Sequence, residues 1–318
     1  MKTLLLALGV LLLSALLVAG GGLLWAHVSL RGERAPLPRV ADVARVLARD
    51  AGAPQALAWI NTASQDMSRG AVLDPGVDPD PAAAYRMSHS SYVLEWANGR
   101  LLLIDVGMTP EAAIEFGAPS ELVAGARPME PHQPTAEQLG PRVKDVAGVV
   151  FSHLHTDHVQ GIAALCAARE EPLRVFGTKG QRARTNYTTQ PGLDLLQEAG
   201  CVEFVPIDES GSLLELPGFP GVRVIDAAGH TPGSQVVAAR VGNERYVFSG
   251  DIANARDGIL HDVPKPWWYS AFVVPEDEDR LGDVRQFLRS LHRDEGFRLL
   301  VPHDENANVE SGVLRWAR

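Results

Sequence analysis

Cysteine is scarce: Cys166 and Cys201 are the only two in 318 residues. That leaves either a single disulfide, as an exported protein can form, or two buried thiols, and sequence alone does not place them within bridging distance. Positive charge is also short. Twenty-nine lysines and arginines face 39 acidic residues, for a formal net charge of −10, which argues against the basic surface that a phosphate backbone requires and so against a nucleic-acid partner. No short-period repeat is visible.

What the chain has in quantity is apolar residues, 46% of the total. At this length they can bury a large core in one main domain. A first apolar block, Leu4 to Trp25, follows a single Lys2 and is an export signal or a membrane anchor. It is long for the former, and it just reaches the roughly 20 residues needed to span a bilayer. Ala19 and Gly20-Gly21-Gly22 offer small residues for cleavage, while Arg31 and Arg34 follow on the side that would be outside. The chain therefore divides into residues 1–26, a signal or anchor; 27–85, an N-terminal extension with a helix; and 86–318, a catalytic domain that is exported, periplasmic or membrane-anchored.

Within the extension, Val40, Val43, Val46 and Leu47 recur at helical spacing, which predicts an amphipathic helix over Leu37 to Asp50 that caps the domain or covers a substrate mouth. Asp74 to Pro81 reads as a loop. Ser91 to Glu95 and Arg100 to Asp105, split by Asn98-Gly99, predict a β-hairpin with positive φ in its two-residue turn. Proline and glycine between Phe116 and Pro141 predict a long loop, such as a lid. Helices are expected at Val159 to Arg169, around Lys179 to Arg184 and at Leu193 to Ala199, and strands at Leu173 to Phe176, Val222 to Ile225, Gln235 to Val241 and Arg245 to Phe248.

The densest chemistry lies at Ser152-His-Leu-His-Thr-Asp-His158, directly after the apolar run Val146 to Phe151. In an extended segment alternate side chains share a side, so His153 and His155 converge on one ion, and a turn into helix swings Asp157 and His158 toward a second. Imidazoles and a carboxylate are ligands that zinc prefers. Four ligands from one loop cannot enclose two ions, so later residues must complete the site. His230 in Ala-Gly-His-Thr-Pro-Gly-Ser, Asp251 in Phe-Ser-Gly-Asp and His303 in Leu-Val-Pro-His-Asp each follow a strand-like segment.

This ordered set, from about Ser88 to His303, resembles the metallo-β-lactamase superfamily in its dinuclear hydrolase form. The resemblance implies an αβ/βα sandwich, preceded here by the apolar segment, and two zinc ions. It puts His153, His155 and His230 on the first metal, Asp157, His158 and His303 on the second, and Asp251 between them. Iron, manganese or cobalt suit the same ligands. Asp105, in Ile104-Asp-Val-Gly107, is expected to support a ligand by hydrogen bonding.

The resemblance also sorts activities. His155 stands where a redox diiron branch has glutamate, which favours hydrolysis, and Asp251 stands where true β-lactamases lack a bridging aspartate. Thiolesterases of the glyoxalase II kind add a helical domain, whereas this chain ends 15 residues past His303. A lactonase- or esterase-like enzyme acting on a small-molecule ester or lactone is the expectation, with Asp157 or Asp251 passing a proton to the leaving group. One departure stands out: acyl-homoserine lactonases place a tyrosine a few residues after the bridging aspartate, and here the next is Tyr269. Trp267, Trp268 and Tyr269 are candidates for lining an apolar pocket, and His89 and His261 for contacting substrate. A β-lactamase, a thioester hydrolase and a non-catalytic metal-binding or sensing protein are the alternatives.

Overall fold

The computed structural model describes residues 2–32 and 34–317; Met1, Glu33 and Arg318 lie outside the described residues. The chain opens with a 28-residue apolar helix, α1 (Lys2–Ser29), then α2 (Val40–Arg49), β1 (Ala56–Ser68), β2 (Ala84–Glu95) and β3 (Leu101–Ile104). Next come α3 (Pro110–Val123), the short β4 (Glu130–Pro131), α4 (Thr135–Leu139), β5 (Val146–Val150), α5 (Thr156–Val159), α6 (Ile162–Ala167) and β6 (Leu173–Gly177). After α7 (Lys179–Ala183), α8 (Gln190–Glu198) and β7 (Val202–Pro206) the chain enters a second sheet with β8 (Leu214–Glu215), β9 (Val222–Asp226), β10 (Gln235–Val241) and β11 (Glu244–Phe248). It closes with α9 (Arg256–Leu260), α10 (Glu278–Glu295), β12 (Arg298–Leu300), α11 (Glu305–Glu310) and β13 (Leu314–Arg315).

Two sheets result, ordered β13-β1-β2-β3-β5-β6-β7, with β4 also on β1, and β12-β11-β10-β9-β8. Their inner faces meet through Leu94, Leu102, Phe176, Val224, Val237 and Phe248. The outer face of the first sheet is covered by α4, α6 and α8 around Phe151, Ile162 and Leu196. The outer face of the second is covered by α2 and α10, through Leu47, Val284 and Leu288. The layers are thus helix, sheet, sheet, helix, the αβ/βα sandwich that alternating strands and helices imply.

Several expectations are corrected. The helix at α2 caps the second sheet and does not reach a mouth, because Val43, Ala44 and Leu47 are committed to that core. The segment 27–85 holds more than a helix: β1 pairs along its whole length with β2, so the first sheet begins at Ala56. Part of the expected loop from Phe116 is helical, since Thr109 caps α3 by accepting from Ala112 N and Pro110 occupies the first turn, where its missing N–H costs nothing. Pro119 inside this helix is the residue that masks it in the sequence. The expected helix from Val159 to Arg169 is broken at Gly161, whose N–H donates to the Gly107 carbonyl at 2.7 Å. In the β2–β3 turn only Gly99 has positive φ.

Candidate metal centre

Strand ends deliver the chemistry. β3 and β5 are parallel, and β9, β11 and β12 run alike across the antiparallel β10, so their C-terminal ends gather at one edge of the sandwich. Past β5 come His153, His155, Asp157 and His158; past β9, His230; past β11, Asp251; past β12, His303. All seven are buried. Gly250, at φ 52°, makes the turn before Asp251, and a Cβ there would lie 2.8 Å from that of Ser152.

The ring nitrogens face one another. His153 Nε2 lies 3.0 Å from His155 Nδ1, which is 3.1 Å from His230 Nε2. Asp251 Oδ2 stands 3.5 Å from His230 Nε2 and 3.1 Å from His303 Nε2, and its Oδ1 stands 3.2 Å from His158 Nε2. Two compact groups emerge, His153, His155, His230 and Asp251 in one, His158, Asp251 and His303 in the other, with ligand atoms inside 4.8 Å of each other in each. Asp157 joins a third grouping with His303 and with His89, whose Nδ1 lies 3.2 Å from Asp157 Oδ2.

Outer partners orient the rings. His158 Nδ1 donates to Asp105 Oδ2 (2.9 Å), His230 Nδ1 to Glu276 Oε1 (2.5 Å) and His303 Nδ1 to the Ser88 carbonyl (2.8 Å), leaving each Nε2 turned inward. Asp105, held at φ 59°, also accepts from the Ser152 N–H and hydroxyl at 2.7 and 2.8 Å. Buried Lys265 donates to Glu276 Oε1 and to the Asp251 carbonyl, both at 2.6 Å. The residues that sequence reasoning missed are Glu276 and Lys265 in this supporting role and Thr188 against His155 Nε2 at 3.0 Å. Glu276 lies 46 positions from His230, where no spacing rule reaches it.

Burial first, and then neighbouring imidazoles, push His153 well below the ordinary histidine range and His155 down to about 3. Burial alone would raise Asp251, but His303, His158 and His153 hold it well below the usual carboxylate range. Glu276 is likewise held at about 2, against burial, by Lys265 and His230. His158 is raised, because Asp157, Asp251 and Asp105 outweigh its burial. His153 and His155 are thus neutral ligands beside ionised carboxylates, while the proton held by His158, and by His303, which Asp251 raises likewise against its burial, is one that a bound cation would displace.

Above the cluster opens a cavity of about 400 Å³, with His89, Asp157, Asp251 and His303 at its base and Met67, Met87, Phe116, Val123, Trp268 and Tyr269 on its walls. Two candidate substrate residues are not brought there. His261 is solvent-exposed, 3.8 Å from Asp257, because α9 ends before it and turns it outward. Trp267 is exposed outside the cavity, with its ring against Phe272.

A family model described as the metallo-beta-lactamase superfamily matches residues 84–308. Among curated relatives, a ribonuclease of Thermus thermophilus is 26% identical over 244 residues, 69% of this chain and 50% of that protein. A probable metallo-hydrolase of Mycobacterium tuberculosis is 26% identical over 230 residues, 64% of this chain and 71% of its own length. The chain thus spans about half the length of the Thermus relative. A solved structure of an N-acyl homoserine lactone hydrolase superposes with a TM-score of 0.58 at 16% identity, covering 81% of this chain and 96% of that one, a likeness of fold.

Proposed function

The chain belongs to the metallo-beta-lactamase superfamily, and from that premise we propose that it is a dinuclear metal-dependent hydrolase of a small ester or lactone. The observation that carries the reading is Asp251, which belongs to both ligand groups at once. The donor set fits a pair of divalent cations. The ring nitrogens of His153, His155 and His230 are buried facing one another at 3.0 and 3.1 Å, and Asp251 Oδ1, 3.2 Å from His158 Nε2, and His89 Nε2 are buried without a hydrogen bond. Such orphaned atoms are costly unless something else occupies them.

His153, His155 and His230 would hold one cation, Asp157, His158 and His303 the other, with Asp251 shared. Bound zinc would acidify a water and polarise a substrate oxygen. The chain's own residues do the rest. Asp105, Glu276 and the Ser88 carbonyl keep the rings in one orientation. Tyr269, its hydroxyl held neutral chiefly by burial, lines the cavity as a donor to a substrate oxygen. Asp157 also lines it and, ionised in this setting, would take a proton from the attacking water and pass it to the leaving group. The apolar walls suit a ligand with an acyl part, and the net charge of −10 favours a small molecule over RNA.

We further read residues 1–26 as part of an uncleaved anchor. Ala26 and Leu30 are buried against the domain, and Ser29 Oγ accepts from Asn186 Nδ2 at 2.9 Å, so the end of α1 is packed as structure. The Cys166–Cys201 disulfide suits a catalytic domain on the oxidising side of a membrane.

The test is metal content per detergent-solubilised full chain, with turnover of esters, lactones, phosphotriesters and β-lactams. Two zinc ions with ester or lactone turnover are expected, and Asp157→Ala should lower that turnover by roughly 10²-fold or more with the circular dichroism spectrum unchanged. Near-native turnover in Asp157→Ala, or two zinc ions with no turnover of any class, would sink the reading.

A further inference from the structure

We infer that the mouth of the cavity rests on the bilayer in which α1 is anchored, so that the site draws an amphiphile, a substrate with a long apolar tail, directly from the lipid. The inference deepens the hydrolase reading and rests on it for the chemistry, but not for the docking.

Large apolar side chains are exposed on three segments around the mouth. Leu122 is 87% exposed at the end of α3, whose Phe116 and Val123 line the cavity. Trp267 (66%) precedes, and Phe272 (61%) belongs to, the π-helical turn Tyr269–Val273, whose Tyr269 and Val273 also line it. Tyr187 adjoins the lining residue Thr188, and its hydroxyl donates to the Val273 carbonyl at 3.3 Å. A soluble enzyme gains nothing by leaving such groups in water around one cavity, and exposed apolar groups gathered at a mouth in this way mark a contact surface.

The position of α1 names the occupant. Its last turns sit on this same rim: His27 Nε2 faces the Ala271 carbonyl at 3.2 Å, and Gly22 lies against the Tyr187 ring. Leu5 to Ser29 is apolar enough to cross a membrane, and its large hydrophobic side chains from Leu5 to Val18 are exposed along the helix. At about 1.5 Å per residue the 28-residue helix is about 42 Å long, against about 30 Å of hydrocarbon, so its final turns and Trp25 stand at the headgroup level. Because Tyr187 and Ala271 touch those turns, the rim stands at that level too. Trp267, Phe272 and Leu122 then enter the interface as the apolar face of an interfacial segment does. The cavity's Met67, Met87, Phe116 and Val123 continue this surface inward to the metal ligands.

The test uses the full chain in phosphatidylcholine nanodiscs, with an environment-sensitive fluorophore on Phe272→Cys and, as control, on Asn98→Cys at the opposite end of the first sheet. A blue shift and quenching by doxyl-labelled lipid at 272 but not at 98 are expected. The variant Trp267→Ser/Phe272→Ser/Leu122→Ser should lose about tenfold or more of its turnover of a long-chain ester carried in the disc, with a short water-soluble ester hydrolysed as before. An unquenched label at 272 overturns the inference. So does a shift that needs high protein concentration and no lipid, which would mark a second copy of the chain on the rim. Quenching without hydrolysis of any ester upholds the docking and counts against the hydrolase reading.

Discussion

Glu276 shows how much of the centre depends on residues that would touch no metal. It accepts the His230 Nδ1 proton, is locked by Lys265, and receives the Ser270 hydroxyl at 2.5 Å. Glu276→Gln keeps the shape and removes the charge that fixes the ring, so zinc affinity in competition with a chelator should fall by about 10- to 100-fold. Tyr269→Phe is the contrasting change, expected to leave zinc affinity intact and lower kcat about tenfold or more. Unchanged affinity in the first variant would remove Glu276 from the orienting role, and unchanged kcat in the second would remove Tyr269 from the reaction.

Among the elements, the loop between β1 and β2 is fastened by the ion pairs of one arginine. Arg69 grips buried Asp78 through two nitrogens, at 2.8 and 3.1 Å, and reaches Asp257 of α9 at 3.1 Å. The Arg69 hydrogen bond lowers the Asp78 pKa from its ordinary value. A carboxyl lowered by folding adds stability above its unfolded pKa of about 3.9 and loses it as pH falls through the folded value. Asp78→Asn should therefore be less stable than the wild type to urea near pH 7, with the gap closing in acid; a gap that does not change with pH would rule the pair out. The hairpin and most strands were legible because short β-branched or apolar runs bounded by turn residues report buried strands directly. α3 was not, because Pro119 argues against a helix that its Thr109-Pro110 start and the surrounding packing sustain. β1 was missed because Asn61, Thr62, Ser64 and Gln65 are buried polar residues that blur its pattern.

For the whole molecule, a cation held by the cluster of buried histidines and aspartates would tie folding to metal. A cation at about 1,000 times its Kd stabilises the folded state by about 4 kcal/mol. Removing it by chelation should lower the thermal midpoint by about 6 °C, and zinc, but not magnesium, should restore it. A midpoint indifferent to chelation would mean that the cluster holds no cation in the purified protein.

The sequence by itself determined which side chains are candidates for the chemistry and in what order they come, because histidine and aspartate spacing in a loop is a local property. It also determined the apolar leader and the strands around the site. Only the tertiary structure decided which residues meet. Strand ends from two sheets bring His153, His230, Asp251 and His303 within reach of one another, and pairing across 35 positions joins Cys166 to Cys201. The same packing places Glu276 behind His230 and the last turns of α1 beside the cavity mouth. Such contacts depend on the stacking of the sheets, and no local pattern of residues encodes that distance.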